Sequence, residues 1–120
     1  MITLEETRDK IIEWAEDKKA EDIVVIDVRG KTSYTDMIIV CHGSNELHLK
    51  AIADNICDNA KNENIRYISV EGKENASWIL IDFIDIIVHI FNETTRKYYK
   101  LEDLWKIKST SRKENLNDKE

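Results

Sequence analysis

The stretch that decides the fold is Ser77-Trp78-Ile79-Leu80-Ile81-Asp82-Phe83-Ile84-Asp85-Ile86-Ile87-Val88-His89-Ile90-Phe91. It reads as two strands, Ser77 to Phe83 and Asp85 to Phe91, and so short a gap between them means a tight hairpin. Side chains alternate along a strand, so Trp78, Leu80 and Asp82 share one face while Ile79, Ile81 and Phe83 share the other. With Phe83 and Ile84 as a two-residue turn, Asp82 is expected opposite Asp85, Leu80 opposite Ile87 and Trp78 opposite His89. Ile79 and Ile81 then meet Ile86 and Val88, a purely aliphatic surface that must be core. The other side carries a Trp, a His, two aliphatics and two acids. An aromatic anchor ringed by polar groups is the usual composition of a binding hot spot, so this side suits an interface. Trp78 has a competing use, packing under the C-terminal segment around Tyr99 and Trp105. Asp82 and Asp85, as opposed like charges, should weaken the hairpin slightly unless a cation from a partner reaches them.

The pattern continues outward on both sides. Ile23-Val24-Val25-Ile26-Asp27-Val28, closing on Arg29-Gly30, and then Met37-Ile38-Ile39-Val40-Cys41 are two more apolar, β-branched runs, read as a hairpin. Before them, Thr3-Leu4-Glu5-Glu6 has the form of a capping box, and Leu4, Ile11, Ile12 and Ala15 recur at helical spacing to about Lys19. From Ser44 or Asn45 a second helix is signalled by Leu49, Ile52, Ala53, Ile56 and Ala60, fading around Asn62 to Asn64. A further strand is expected from Arg66 to Glu71, and helical turns from Arg96 to Trp105. The order suits an α/β (α+β) fold, a mixed β-sheet of about five strands flanked by helices.

The bulk numbers bound what such a domain can do. A chain of 120 residues with 42% hydrophobic content buries roughly two thirds of its unfolded surface as one domain. The expected organisation is a single domain over residues 1–106 and a charged, disordered tail over 107–120 with almost no apolar anchor. The formal charge of −6 repels phosphate backbones, which argues against sequence-specific nucleic-acid binding and favours a basic protein partner. No apolar run approaches the roughly 18 to 20 residues of a membrane span, and the acidic first turn is unlike a signal or transit peptide, so a cytoplasmic protein is expected.

Chemistry beyond binding finds little support. Nucleotidyltransferases hold a phosphate where an apolar strand runs into Gly-Ser at a helix start, and Gly43-Ser44 makes a metal-dependent enzyme of that kind the alternative reading. The same dipeptide is ordinary capping chemistry. Metal-assisted transfer needs clustered carboxylates holding two cations about 4 Å apart, normally a D-x-D pair on the strand after that helix. Here that strand reads Tyr67-Ile68-Ser69-Val70-Glu71, and Asp82 alone does not replace the pair. Cys41, His42, His48 and Cys57 lack metal-type spacing, Cys41 and His42 being adjacent and so on opposite faces of a strand. Ser44 has no identifiable base and orienting acid. The expectation is therefore a protein that is not an enzyme, with no catalytic residues, cofactor or metal.

Four segments together resemble the ribosomal silencing factor (Iojap-like) family. They are Lys18-Lys19-Ala20-Glu21-Asp22-Ile23-Val24-Val25 leading into Asp27-Val28-Arg29-Gly30-Lys31-Thr32-Ser33; Thr35-Asp36, then Gly43-Ser44 and the helix with His48 and Ile52-Ala53-Asp54; Val70-Glu71-Gly72 with Trp78 to Asp82 and Asp85 to Phe91; and Arg96, Tyr99 and Leu101-Glu102-Asp103-Leu104-Trp105. Two positions depart from the family pattern: Ile84 stands where a Gly is usual, and Leu47 where many relatives carry Arg. A β-branched residue at Ile84 is strained if the turn needs a positive φ. The resemblance implies a fold related to the nucleotidyltransferases and a homodimer when free. It also implies binding to ribosomal protein fourteen of the large ribosomal subunit, which blocks joining of the small subunit and represses translation under nutrient limitation. The partner-binding residues it points to are Trp78, Leu80, Asp82, Asp85, His89, Tyr99 and Trp105.

Overall fold

A computed structural model describes residues 2–93. The segment from Arg96 to Trp105, the tail over 107–120 and the candidates Tyr99 and Trp105 lie outside the described residues. Helix α1 spans Leu4–Asp17 and begins as its sequence requires: the Thr3 hydroxyl accepts from the Glu6 N–H and the Glu6 carboxylate accepts from the Thr3 N–H, a reciprocal capping box. Lys19, at φ 61°, turns the chain into β1 (Glu21–Asp27). After a loop comes β2 (Met37–Gly43), paired antiparallel to β1 as the expected hairpin. Helix α2 (Glu46–Asn62) starts at Asn45, whose side chain accepts from the His48 N–H at 2.9 Å.

The remaining strands are β3 (Ser69–Glu71), β4 (Trp78–Asp82) and β5 (Ile86–Asn92), and the five-stranded sheet has the order β1-β2-β5-β4-β3. It is the mixed, helix-flanked sheet expected, with β2 and β5 parallel at its centre and the other pairs antiparallel. β3 is shorter than the span from Arg66 to Glu71. The Ile65 N–H is still bonded to the Ala60 carbonyl at 2.8 Å, so the chain is finishing helix α2 where extended pairing was expected to begin.

The β4–β5 hairpin corrects the sequence reading in one respect. Asp82 faces Ile87, Leu80 faces His89 and Trp78 faces Phe91, a register two residues away from the one expected. The closing pair is Phe83 with Ile86, the Phe83 N–H donating to the Ile86 carbonyl at 2.8 Å, so the turn residues are Ile84 and Asp85. Burial explains the choice. Phe83 and Ile86 are 6% and 1% exposed, and a turn at Phe83 would bring an aromatic ring out to solvent, whereas Asp85 loses nothing there. Asp82 and Asp85 are consequently not opposed, and the repulsion expected between them does not arise. A two-residue slip preserves parity, so each side chain stays on the face its sequence position predicts.

Both helices cover one face of the sheet. Ile11, Trp14 and Ala15 of α1 and Leu49, Ile52, Ala53, Ile56 and Ala60 of α2 pack with Met37, Ile39, Ile79, Ile81, Val88 and Ile90 in one cluster. The Asn55 amide ties the helices together by donating to the Trp14 carbonyl at 2.8 Å. A second cluster lies on the other face: Ile26, Val28, Ile38, Val40 and Phe91 are buried, with Val24 and Trp78 against them, and neither helix contributes a residue.

Candidate protein-binding face

Among the described candidates, Trp78, Leu80, Asp82 and His89 gather at the β4 side of that second face. Their placement begins at Gly72, which sits at φ 92°. A Cβ there would lie 2.2 Å from the Trp78 carbonyl oxygen, so only a residue without a side chain lets the chain leave β3 and fold back over the start of β4. One turn of 3-10 helix (Lys73–Asn75) then feeds β4, where Trp78, Leu80 and Asp82 are partly buried and the alternate residues Ile79 and Ile81 are fully buried.

Trp78 is held from two sides. Its ring lies 4.9 Å from that of Phe91, directly across the ladder, and 5.8 Å from the His89 ring on the diagonal. Its indole N–H donates to His89 Nδ1 at 3.0 Å. His89 is 9% exposed, and burial pushes its pKa down to about 4. It is therefore neutral at pH 7, and because Nδ1 accepts, its proton sits on Nε2. His89, expected as a member of the contact set, lies buried against Trp78 and fixes its indole.

The sign of the resulting pH dependence follows. The unfolded histidine titrates near 6.5 and the folded one near 4, so the unfolded chain binds more protons between these values and stability is lost as the pH falls through that window. The loss at pH 4 is about 3 kcal/mol from this group. Urea midpoints at pH 7 and pH 4 should separate less in His89→Gln than in the parent. Equal separations would show that His89 is not the buried neutral group described here.

Asp82 has a local duty as well, its carboxylate accepting from the Ile84 N–H at 2.8 Å. Asp85 is exposed, and its carbonyl accepts from the N–H groups of Asp36 and Met37 at 3.0 and 3.1 Å, joining the β4–β5 turn to the end of the β1–β2 loop. Ser69 and Glu71 of β3 stand opposite Asp82 and Leu80 and so extend the same face. The sequence reading overlooked them, although the alternation Ser69-Val70-Glu71, with the apolar residue between two polar ones, carried the signal.

The loop at Gly43-Ser44 is filled by the protein itself. The Ser44 N–H donates to His48 Nδ1 at 2.9 Å, and the other nitrogen of that ring bonds the Lys18 carbonyl at 2.7 Å. A Cβ at Gly43 would sit 2.9 Å from His48 Nδ1, so the imidazole occupies the space beside the loop and consumes an amide that a phosphate would use. Cys41 and Cys57 are buried and form no disulfide, and burial pushes the Cys57 thiol up. Among the described residues, no group of three or more His, Cys, Asp or Glu is arranged to hold a metal ion. No described helix is long and apolar enough to cross a membrane.

A helix-covered mixed sheet whose second face presents a fixed indole beside Leu80 and Asp82 defines a small α+β domain. The chain belongs to the ribosomal silencing factor family: the profile described as "Ribosomal silencing factor during starvation" matches residues 2–120. It is 40% identical over 90 residues to the ribosomal silencing factor RsfS of Bacillus subtilis, covering 75% of this chain and 76% of that one. It is likewise 40% identical over 95 residues to the protein of the same name from Haemophilus influenzae, covering 79% and 93%. A crystal structure of a Chromobacterium violaceum protein superposes with a TM-score of 0.86 at 31% identity, covering 92% of each chain.

Proposed function

We propose that this chain binds the large ribosomal subunit through ribosomal protein fourteen and, by occupying that surface, blocks joining of the small subunit and represses translation when nutrients are limiting. The observation that carries the reading is the arrangement at β4: an indole fixed by Phe91 and His89, next to Leu80 and the carboxylate of Asp82, on the part of the sheet that α1 and α2 leave uncovered. Rigid aromatic anchors with a polar rim dominate protein interfaces. The charge of −6 suits a basic ribosomal protein. The protein acts by binding rather than catalysis, in the cytoplasm, and forms a homodimer when free.

Co-sedimentation with separated subunits tests this directly. The protein is expected in the large-subunit fraction and not with the small subunit, and recovery with neither would overturn the proposal. Asp82→Asn makes a finer arm, because the amide keeps an oxygen for the Ile84 N–H while removing the charge. It should leave the melting temperature within about 2 °C and weaken large-subunit binding about tenfold.

A further inference from the structure

Ile84 occupies a position that the fold itself does not justify. Its φ is 78°, and the Asp85 N–H donates to the Phe83 carbonyl at 2.9 Å, closing a three-residue γ-turn centred on Ile84. That turn is strained for any L-residue, most of all for one branched at Cβ, and glycine adopts it freely. Strain of this kind is ordinarily offset by burial of the side chain, yet Ile84 is 50% exposed. The chain thus holds an apolar group out at the tip of a hairpin at a cost to its own stability, which is how residues retained for contact behave.

Its surroundings point to the same use. Ile68, 63% exposed, donates its N–H to the Asp82 carbonyl at 2.7 Å, while the Ile84 N–H bonds the Asp82 carboxylate, so the two isoleucines flank Asp82. The carboxylates of Asp36, Asp82 and Asp85 belong to this same end of the sheet, where the Asp36 N–H meets the Asp85 carbonyl. Tyr34, 58% exposed, lies two residues from Asp36. Two of the five exposed large apolar side chains among the described residues, Ile68 and Ile84, thus lie on residues bonded to Asp82.

We infer that Ile84 and Ile68 form an apolar ridge that carries the binding face from Leu80 and Asp82 around the β4–β5 turn, seating against the aliphatic stems of basic side chains on the same ribosomal partner. This rests on the reading under Proposed function. The occupant is argued from charge, since Lys and Arg present an apolar stem and a cationic head, and the ridge offers isoleucines for the one and carboxylates for the other.

The test uses the full chain with Ile84→Gly and Ile84→Asn, both of which accept a positive φ. Gly removes the strain and Asn, unbranched at Cβ, relieves part of it, so the melting temperature should rise in both, by about 4 °C or more in Ile84→Gly, while affinity for the large subunit should fall about tenfold. Asn keeps the turn stiffer than Gly, so equal binding losses in the two variants would exclude loosening of the hairpin as their cause. Unchanged large-subunit binding in both variants, with the parent binding normally, would overturn the inference alone. A binding loss confined to self-association in sedimentation velocity would overturn it too, by assigning the ridge to a second copy of the chain. A parent protein that fails to sediment with the large subunit would sink the reading beneath it.

Discussion

Trp78→Ala is expected to stop the protein from blocking subunit joining and to lower its stability at the same time. As the anchor of the face, the indole should contribute about 2 kcal/mol or more to binding, close to a thirtyfold change in affinity. The sequence alone allowed either an exposed anchor, whose loss leaves the melting temperature unmoved, or a packed residue, whose loss unfolds the protein. In the structure Trp78 is packed in part, so its truncation should be felt in the fold as well as in binding. It is partly buried against Phe91 at 4.9 Å and bonded to His89 at 3.0 Å, so truncation removes ring packing and leaves the buried Nδ1 of His89 without its donor. That should cost about 2 to 3 kcal/mol of folding stability, within reach of a domain of ordinary stability. Trp78→Phe separates the effects, because a phenyl ring keeps most of the packing on Phe91 while the donor and the outer edge of the indole are lost. Its thermal midpoint should fall by less than that of Trp78→Ala, and its binding should still drop. A folded Trp78→Ala protein that blocks subunit joining as well as the parent in a sedimentation assay would remove Trp78 from the interface.

Gly72→Ala should be the most damaging small substitution in the described residues. The new Cβ would lie 2.2 Å from the Trp78 carbonyl oxygen and 3.4 Å from the Ile79 Cα, and these are backbone atoms that cannot swing aside. The residue would also have to hold φ 92°. Strain at such a φ is worth about 1 to 3 kcal/mol and forced overpacking about the same again, so a loss of about 4 kcal/mol is expected in urea unfolding. Relief requires β4 to shift at Trp78, which would misplace the anchor, so subunit binding should weaken in whatever fraction remains folded. An unchanged urea midpoint would mean that the β3–β4 connection is not packed as described. Gly30, also at positive φ but with nothing within 4 Å of an added Cβ, is the natural control. There only the conformational part of the penalty should appear.

Much of this was legible from local sequence. Thr3 with Glu6 announced the first helix and Ser44 or Asn45 the second, Asn45 being the cap in the structure, because capping is satisfied by residues three positions apart. The alternation in β4 and β5 placed Trp78, Leu80, Asp82 and His89 on one face and Ile79, Ile81, Ile86 and Val88 on the other, since a strand's period of two is a property of the backbone. The family was readable as well, from segments spread between Lys18 and Trp105.

Which strands became neighbours, and in which register, depended on contacts far apart in sequence. Alternation is unchanged by a slip of two residues, so it could not distinguish Trp78 opposite His89 from Trp78 opposite Phe91. Burial of Phe83 and Ile86 made that choice and put Asp85 beside Ile84 in the turn in place of Phe83. The same holds for His89, which pattern alone placed beside Trp78 on an interface. Only the assembled sheet, with β2 parallel on one side and β4 on the other, sealed the imidazole beneath the indole and made it a neutral acceptor. Likewise, no spacing rule showed that His48 would fill the loop at Gly43-Ser44, because its second partner, the Lys18 carbonyl, lies thirty residues away. Local periodicity determines faces and caps; desolvation, which depends on everything packed around a group, decides what each polar side chain on those faces can do.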